Sequence, residues 1–383
     1  MKRFLKVSLV VVLAVMISVP ALAEYSVDGF YRAKGEFQNF ALAAGRTSDF
    51  NDDSSSHMFT EQRARFKNTF SNNEFAKAIF YIETDQIWGD SATTVGRNQG
   101  AAIGADSINI ELKNLYTWFK IPDTDWEFTV GLRGMRDPYK FVLYLNDMAG
   151  IVAKTKFESV GLHFGWIKGF ENDRNEADDY DMTFVEASFK ATENLNLGVN
   201  VHWFNDDRNR DGGSTDDVYT VGVNGALKIN DIVLDGFVLY QFGTVNVPAG
   251  TDLDHAAYAA NLKASVKLGP GNAFIEGLYI SGDDDPLDND IESLTPLAGG
   301  NGPFYISPQM YIITYNAEQH TNAQSPFALD TNGNAGNGLM LIAAGYKQAV
   351  TDTITGKIGV GYAADVEKDA VANDERNAIE INA

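Results

Sequence analysis

Between Val27 and Phe37 the chain reads VDGFYRAKGEF. Val27, Gly29, Tyr31, Ala33, Gly35 and Phe37 share one parity, and Asp28, Arg32, Lys34 and Glu36 share the other. A period of two puts successive side chains on opposite faces of a strand. One face here is apolar and aromatic, and the other carries charges of both signs. The pattern recurs: Glu61, Arg63, Arg65 and Lys67 alternate with Gln62, Ala64, Phe66 and Asn68. Leu195, Leu197, Val199, Val201 and Trp203 alternate with Asn196, Gly198, Asn200 and His202, and Tyr258, Ala260, Leu262, Ala264 and Val266 with Asn261, Lys263 and Ser265. No amphipathic helix of comparable length competes, so the chain is read as all-β.

The connections distinguish a barrel from a sandwich. Tight turns such as SNNE at 71–74, ATEN at 191–194, KIND at 228–231 and GPGN at 269–272 alternate with long polar loops. That is the meander of a transmembrane, antiparallel, up-and-down β-barrel with short periplasmic turns and long external loops. Aromatic residues near strand ends, including Trp88, Trp118, Trp126, Trp166, Trp203 and Tyr240, suit interfacial girdles. In hydrocarbon every backbone polar group must be paired within the protein, so a spanning sheet turns its apolar face outward and its charged face to a wet lumen. Counting turn against loop predicts about sixteen strands, or sixteen to eighteen depending on 282–337, enough to enclose an aqueous channel.

Residues 1–23, MKRFLKVSLVVVLAVMISVPALA, have the charged start, apolar middle and Ala-x-Ala end of a secretory signal peptide. Residues 24–383 then form one β-barrel domain, and removing the three basic residues of the leader takes the formal charge from −22 to −25. So acidic a chain does not suit nucleic acid. With no cysteine, the exported fold has no disulfides to lean on. The chain stops at ERNAIEINA, short of a full spanning strand, and the expectation is a fragment lacking its closing strand or strands.

The first strand YSVDGFYRAKGEF, the basic EQRARFKNTF, the segment WEFTVGLRGMRDPYKFVLYLNDMAGIVAKTKF and the alternating turns together resemble Gram-negative outer membrane porins of the trimeric general type, and are most similar to those of sulfate- and metal-reducing deltaproteobacteria. The resemblance implies a homotrimer in the outer membrane, surrounded by lipid and lipopolysaccharide, that passes small hydrophilic solutes and ions. It also implies that Met135 to Met148 folds inward to narrow the pore, with Asp137 and Asp147 facing Arg63, Arg65 and Arg133.

In this register the lumen wall carries Arg32, Lys34, Arg63, Arg65, Lys67, Lys113, Arg133, Lys154 and Lys156, a row able to sort solutes by charge. The external loops are acidic. Within one of them Asp207, Asn209, Asp211 and Gly212 match the start of a calcium loop, but Val218 stands where a bidentate Glu belongs, so weakly bound calcium is the most this loop offers. His57, His163, His202, His255 and His320 lack metal-ligand spacing and read as wall or loop residues. No nucleophile motif or other cofactor signature is present, and an enzyme is not expected. The alternative to a channel is a structural sleeve around a multihaem cytochrome in an electron conduit.

Overall fold

The computed structural model describes residues 24–38, 57–90, 98–104, 110–171, 178–209, 213–296, 336–367 and 377–382. The proposed signal peptide and most of 282–337 lie outside them. Nineteen strands form one sheet among the described residues. Three are short: β4 (Asn98–Ala101), β13 (Leu253–His255) and β16 (Asp290–Ile291). The other sixteen are β1 (Glu24–Gln38), β2 (His57–Asn73), β3 (Ala76–Trp88), β5 (Glu111–Lys120), β6 (Glu127–Arg136), β7 (Leu145–Phe157), β8 (Val160–Phe170), β9 (Tyr180–Thr192), β10 (Leu195–Asp206), β11 (Thr215–Ile229), β12 (Ile232–Asn246), β14 (Tyr258–Leu268), β15 (Gly271–Ile280), β17 (Leu339–Ala349), β18 (Thr355–Ala364) and β19 (Asn377–Asn382). Each of the sixteen pairs antiparallel with its neighbour in sequence. This is the up-and-down meander of an outer-membrane β-barrel.

The two faces separate as the alternation requires. Tyr31, Phe66, Val199, Val201, Val221, Val223, Val238, Leu262 and Ile342 are exposed on one face. Such a band of aliphatic side chains is stable against lipid tails and not against water. Among the described residues no helix is long and apolar enough to cross a membrane.

The inner face departs from the simple wet lumen. Tyr180, Met182, Phe184, Phe204, Val218, Phe237, Leu239, Leu278, Leu339 and Leu341 have inward parity, and all are buried in one cluster toward the long-loop end. They are covered from inside by chain that folds back into the barrel. Part of the cover is Asp137–Tyr144 between β6 and β7. Another part is the segment after β15, where Leu294 joins the cluster. There the side-chain amide of Gln241 bonds both ways with the Thr295 backbone, donating to its carbonyl at 2.7 Å and accepting from its N–H at 2.8 Å. Trp118 also departs from the girdle expected of it. It lies in register with Lys77, whose ammonium sits 5.2 Å from its ring centre, and its Nε1 donates to Glu127 at 3.2 Å on the inner face. Trp126 does join an outer cluster, stacked on Phe128 and edge-on to Phe157 and Phe164.

Candidate functional site

Pro138, which has no N–H to give a ladder, follows the last residues of β6 and ends the strand. The inward loop is therefore Asp137–Tyr144, tighter than the 135–148 expected. Met135 and Met148 are buried strand residues that pack beneath it. The loop is organised around one carboxylate. Asp137 Oδ1 accepts the backbone N–H groups of Tyr139 at 2.6 Å and Phe141 at 3.0 Å. Its Oδ2 accepts those of Leu143 and Tyr144, both at 2.7 Å. These bonds hold a turn in which Lys140 and Phe141 take the left-handed φ values of 58° and 72°, which L-residues otherwise avoid. Burial pushes the Asp137 carboxyl up to about 6, although the N–H bonds from Tyr144, Tyr139 and Leu143 pull it down.

The loop docks on the opposite wall. Tyr139 packs edge-on to His202 of β10 and against Phe237 of β12, with ring centres 5.9 Å and 5.5 Å away. Its hydroxyl sits over Gly222 of β11, where a Cβ would lie 2.7 Å from it. At the tip, Lys140 reaches Asp235 of β12 at 2.8 Å and Glu276 of β15 at 2.9 Å. β15 is seven strand steps from β7, about 34 Å along a flat sheet. A loop tip four residues from its strand extends roughly 14 Å at most. The sheet therefore curls around the loop, and the loop crosses the interior.

Below the docked loop, Glu186 of β9 joins two histidines. Its Oε2 lies 2.7 Å from His163 Nδ1 and its Oε1 3.3 Å from His202 Nε2. The Tyr144 hydroxyl lies 3.4 Å from the same His202 nitrogen. Sequence reading treated both histidines as ordinary wall residues. They are 39 positions apart, and only the register of β8, β9 and β10 brings them to one carboxylate.

The basic residues divide by what neutralises them. Arg32 and Lys34 on β1 share a face with Arg63, Arg65 and Lys67 on β2, as the alternation predicts. Arg63 makes a two-pronged bond to Asp85 of β3, at 2.6 Å and 2.7 Å, and Arg65 pairs with Glu83. These arginines are matched within the wall instead of facing acids on the loop. Asp137, expected to face them, is turned into its own loop. Asp147, also expected there, belongs to β7. It is out of phase with Met148 and Val152 of the interior cluster and pairs with Lys113 of β5 at 2.7 Å, beside Gly134 of β6. In an unbroken strand that parity is the outward one, so Asp147 leaves the lumen set and Lys113 is neutralised beside it. Arg133 stays inward, over the Tyr116 ring at 5.9 Å, and Lys154 and Lys156 share the inward parity of Val152. Of the calcium-loop residues, Asp211 and Gly212 lie outside the described residues. Asn209 accepts the Gly213 N–H through its backbone carbonyl, and the Asp207 N–H donates to the Asp179 carbonyl.

Fold and inward loop together define the class, a transmembrane β-barrel whose interior is crossed by its own chain. No protein-family model and no curated protein matches the sequence. Among solved structures, the anion-selective porin of Comamonas acidovorans is similar over 90% of this chain and 89% of that one, with a TM-score of 0.50 and 10% identity. OccAB4 of Acinetobacter baumannii is similar over 95% of this chain and 88% of that one, with a TM-score of 0.52 and 13% identity. At these identities the likeness is one of fold, that of outer-membrane barrels.

Proposed function

We propose that the chain forms a water-filled channel in a Gram-negative outer membrane, through which small hydrophilic solutes and ions diffuse passively. The observation that carries this reading is the docked loop. A strap held by Asp137 at its base and by Lys140 at its tip crosses the interior and narrows a barrel of this size. The same strap argues against a cytochrome sleeve, since it occupies interior space that a sleeved partner needs. One of the two solved structures described above is an anion-selective porin, which supports the same reading. Short turns then face the periplasm and long loops the exterior.

A homotrimer is the assembly proposed. On the outer face of β1–β3 the amide of Gln62 donates to Gln86 at 2.6 Å, and the oxygen of Gln62 accepts from Trp88 at 2.9 Å and Tyr31 at 3.1 Å. Side-chain amides are costly against lipid tails and serve well between protein surfaces in a membrane. The test is conductance of the purified protein in a planar bilayer. Discrete, long-lived steps are expected, and a folded protein that gives none refutes the channel.

A further inference from the structure

Six lysines that make no ion pair among the described residues share one depth. The inward parity of each strand is fixed by a residue buried inside: Asp85 on β3, Val152 on β7, Phe184 on β9, Thr220 on β11, Asn261 on β14 and Ala363 on β18. Counting in twos along the unbroken strands puts Lys77, Lys156, Lys190, Lys228, Lys267 and Lys357 on that same face. Each lies within two residues of its strand's short-turn end, so within about 7 Å of that rim. Six separate hairpins thus contribute one inward lysine each at one level.

None of the six makes an ion pair among the described residues, in contrast to Arg63, Arg65, Lys113 and Lys140 higher in the barrel. Lys67, Lys120, Lys154 and Lys347 have the same parity nearby. The inward carboxylates at comparable depth among the described residues are Glu24, Asp28, Glu127, Glu186, Asp235 and Glu276, of which Asp235 and Glu276 are held by Lys140 and Glu186 by His163 and His202. Cations therefore outnumber anions there. The acids of the turns themselves, such as Glu74, Glu158, Glu193, Asp231 and Asp352, lie beyond the strand ends in open water, where salt screens charge over about 8 Å. Lysines on a wall backed by hydrocarbon project their field into the lumen much more effectively.

Resting on the channel reading, we propose that the short-turn half of the lumen is a lysine-lined vestibule that makes the pore anion-selective, favouring small solutes that carry carboxylate or phosphate oxygens. A ring of cationic side chains is how a pore selects anions without a closed binding pocket. Described acids of the long connections, such as Asp284, Asp285 and Asp288, are exposed at the opposite end and do not reverse this.

Zero-current potentials of the purified protein in a potassium chloride gradient test the inference. Chloride is expected to carry more current than potassium. Combined Lys156→Gln, Lys190→Gln, Lys228→Gln and Lys267→Gln substitution is expected to shift the permeability ratio several-fold toward potassium. The single Lys190→Glu variant is expected to shift it in the same sense. Citrate added on the short-turn side is expected to reduce the current at lower concentration than citrate on the loop side. Cation preference in the wild type, or a ratio unmoved in both variants, overturns the vestibule while leaving the channel intact. Absence of any conductance strikes the channel reading itself.

Discussion

Replacing Asp137 by Ala removes the acceptor of four backbone N–H groups inside the barrel. A hydrogen bond to a charged acceptor contributes about 1.5–3 kcal/mol, so the loop loses roughly 6–12 kcal/mol if it keeps its place. What still holds it is burial of Tyr139, Val142, Leu143 and Tyr144, at about 1.5–3 kcal/mol for each large apolar side chain, and the Lys140 pairs. The two sums are comparable. The left-handed backbone at Lys140 and Phe141 then tips the balance, because it costs about 1–2 kcal/mol per residue and no longer has bonds to maintain it. The variant loop should exchange between docked and undocked positions. The strand ladder runs through β6 and β7 without residues 137–144, so the barrel itself stays assembled. Single-channel recording should show a higher mean conductance with two-level noise, while heat-modifiable gel mobility matches the wild type. A folded variant with wild-type conductance and noise would refute the account of the loop as a strap held by this carboxylate.

Other outcomes follow from the same geometry. The folded-state pKa of Asp137 is raised to about 6 from an ordinary 3.8, so the fold binds this proton more tightly than the unfolded chain does. Relative to Asp137→Asn, the wild type should therefore gain stability as pH falls through 6 toward 4, and a melting-temperature gap that narrows over that interval contradicts the burial argument. Gly222→Ala places a methyl 2.7 Å from the Tyr139 hydroxyl and 2.7 Å from the Val238 carbonyl, and should loosen the loop much as Asp137→Ala does. Adding Tyr139→Phe to Gly222→Ala should recover part of the docking, and the same conductance assay reads both. Replacing Gln62 and Gln86 together by Leu removes this amide pair from the outer face of β1–β3, and cross-linking in detergent should then show fewer trimers. An unchanged trimer fraction would place the subunit contact elsewhere.

The meander was legible because period two and turn chemistry are local. Tyr31 outward with Arg32 inward, and β10 beginning at Leu195, follow from side-chain alternation and a turn signal with no knowledge of the partner strand. Alternation assigns a residue to a face, however, and says nothing of what lies above that face. Phe184, Phe204, Phe237 and Leu239 stand on the parity shared with Glu186, Asn200 and Asp235, and a lumen was expected to be wet wherever that parity pointed. Their burial depends on chain returning from other places in the sequence, and no local pattern records that return.

The site was less legible than the fold for a related reason. A charge reads as lumen-lining until its cross-strand neighbour is known, and Arg63 and Asp85 are brought opposite only by the register of β2 against β3. The same register turns a row of arginines, which looked like a selectivity filter in sequence, into a matched ladder with little field to spare. Lys190, Lys228 and Lys267 were not among the wall residues read from the sequence. Once parity and depth are assigned together, they become the larger uncompensated charge. Selectivity in such a barrel is thus a property of pairing, and a count of basic residues along the chain predicts its sign only after every ion pair has been subtracted.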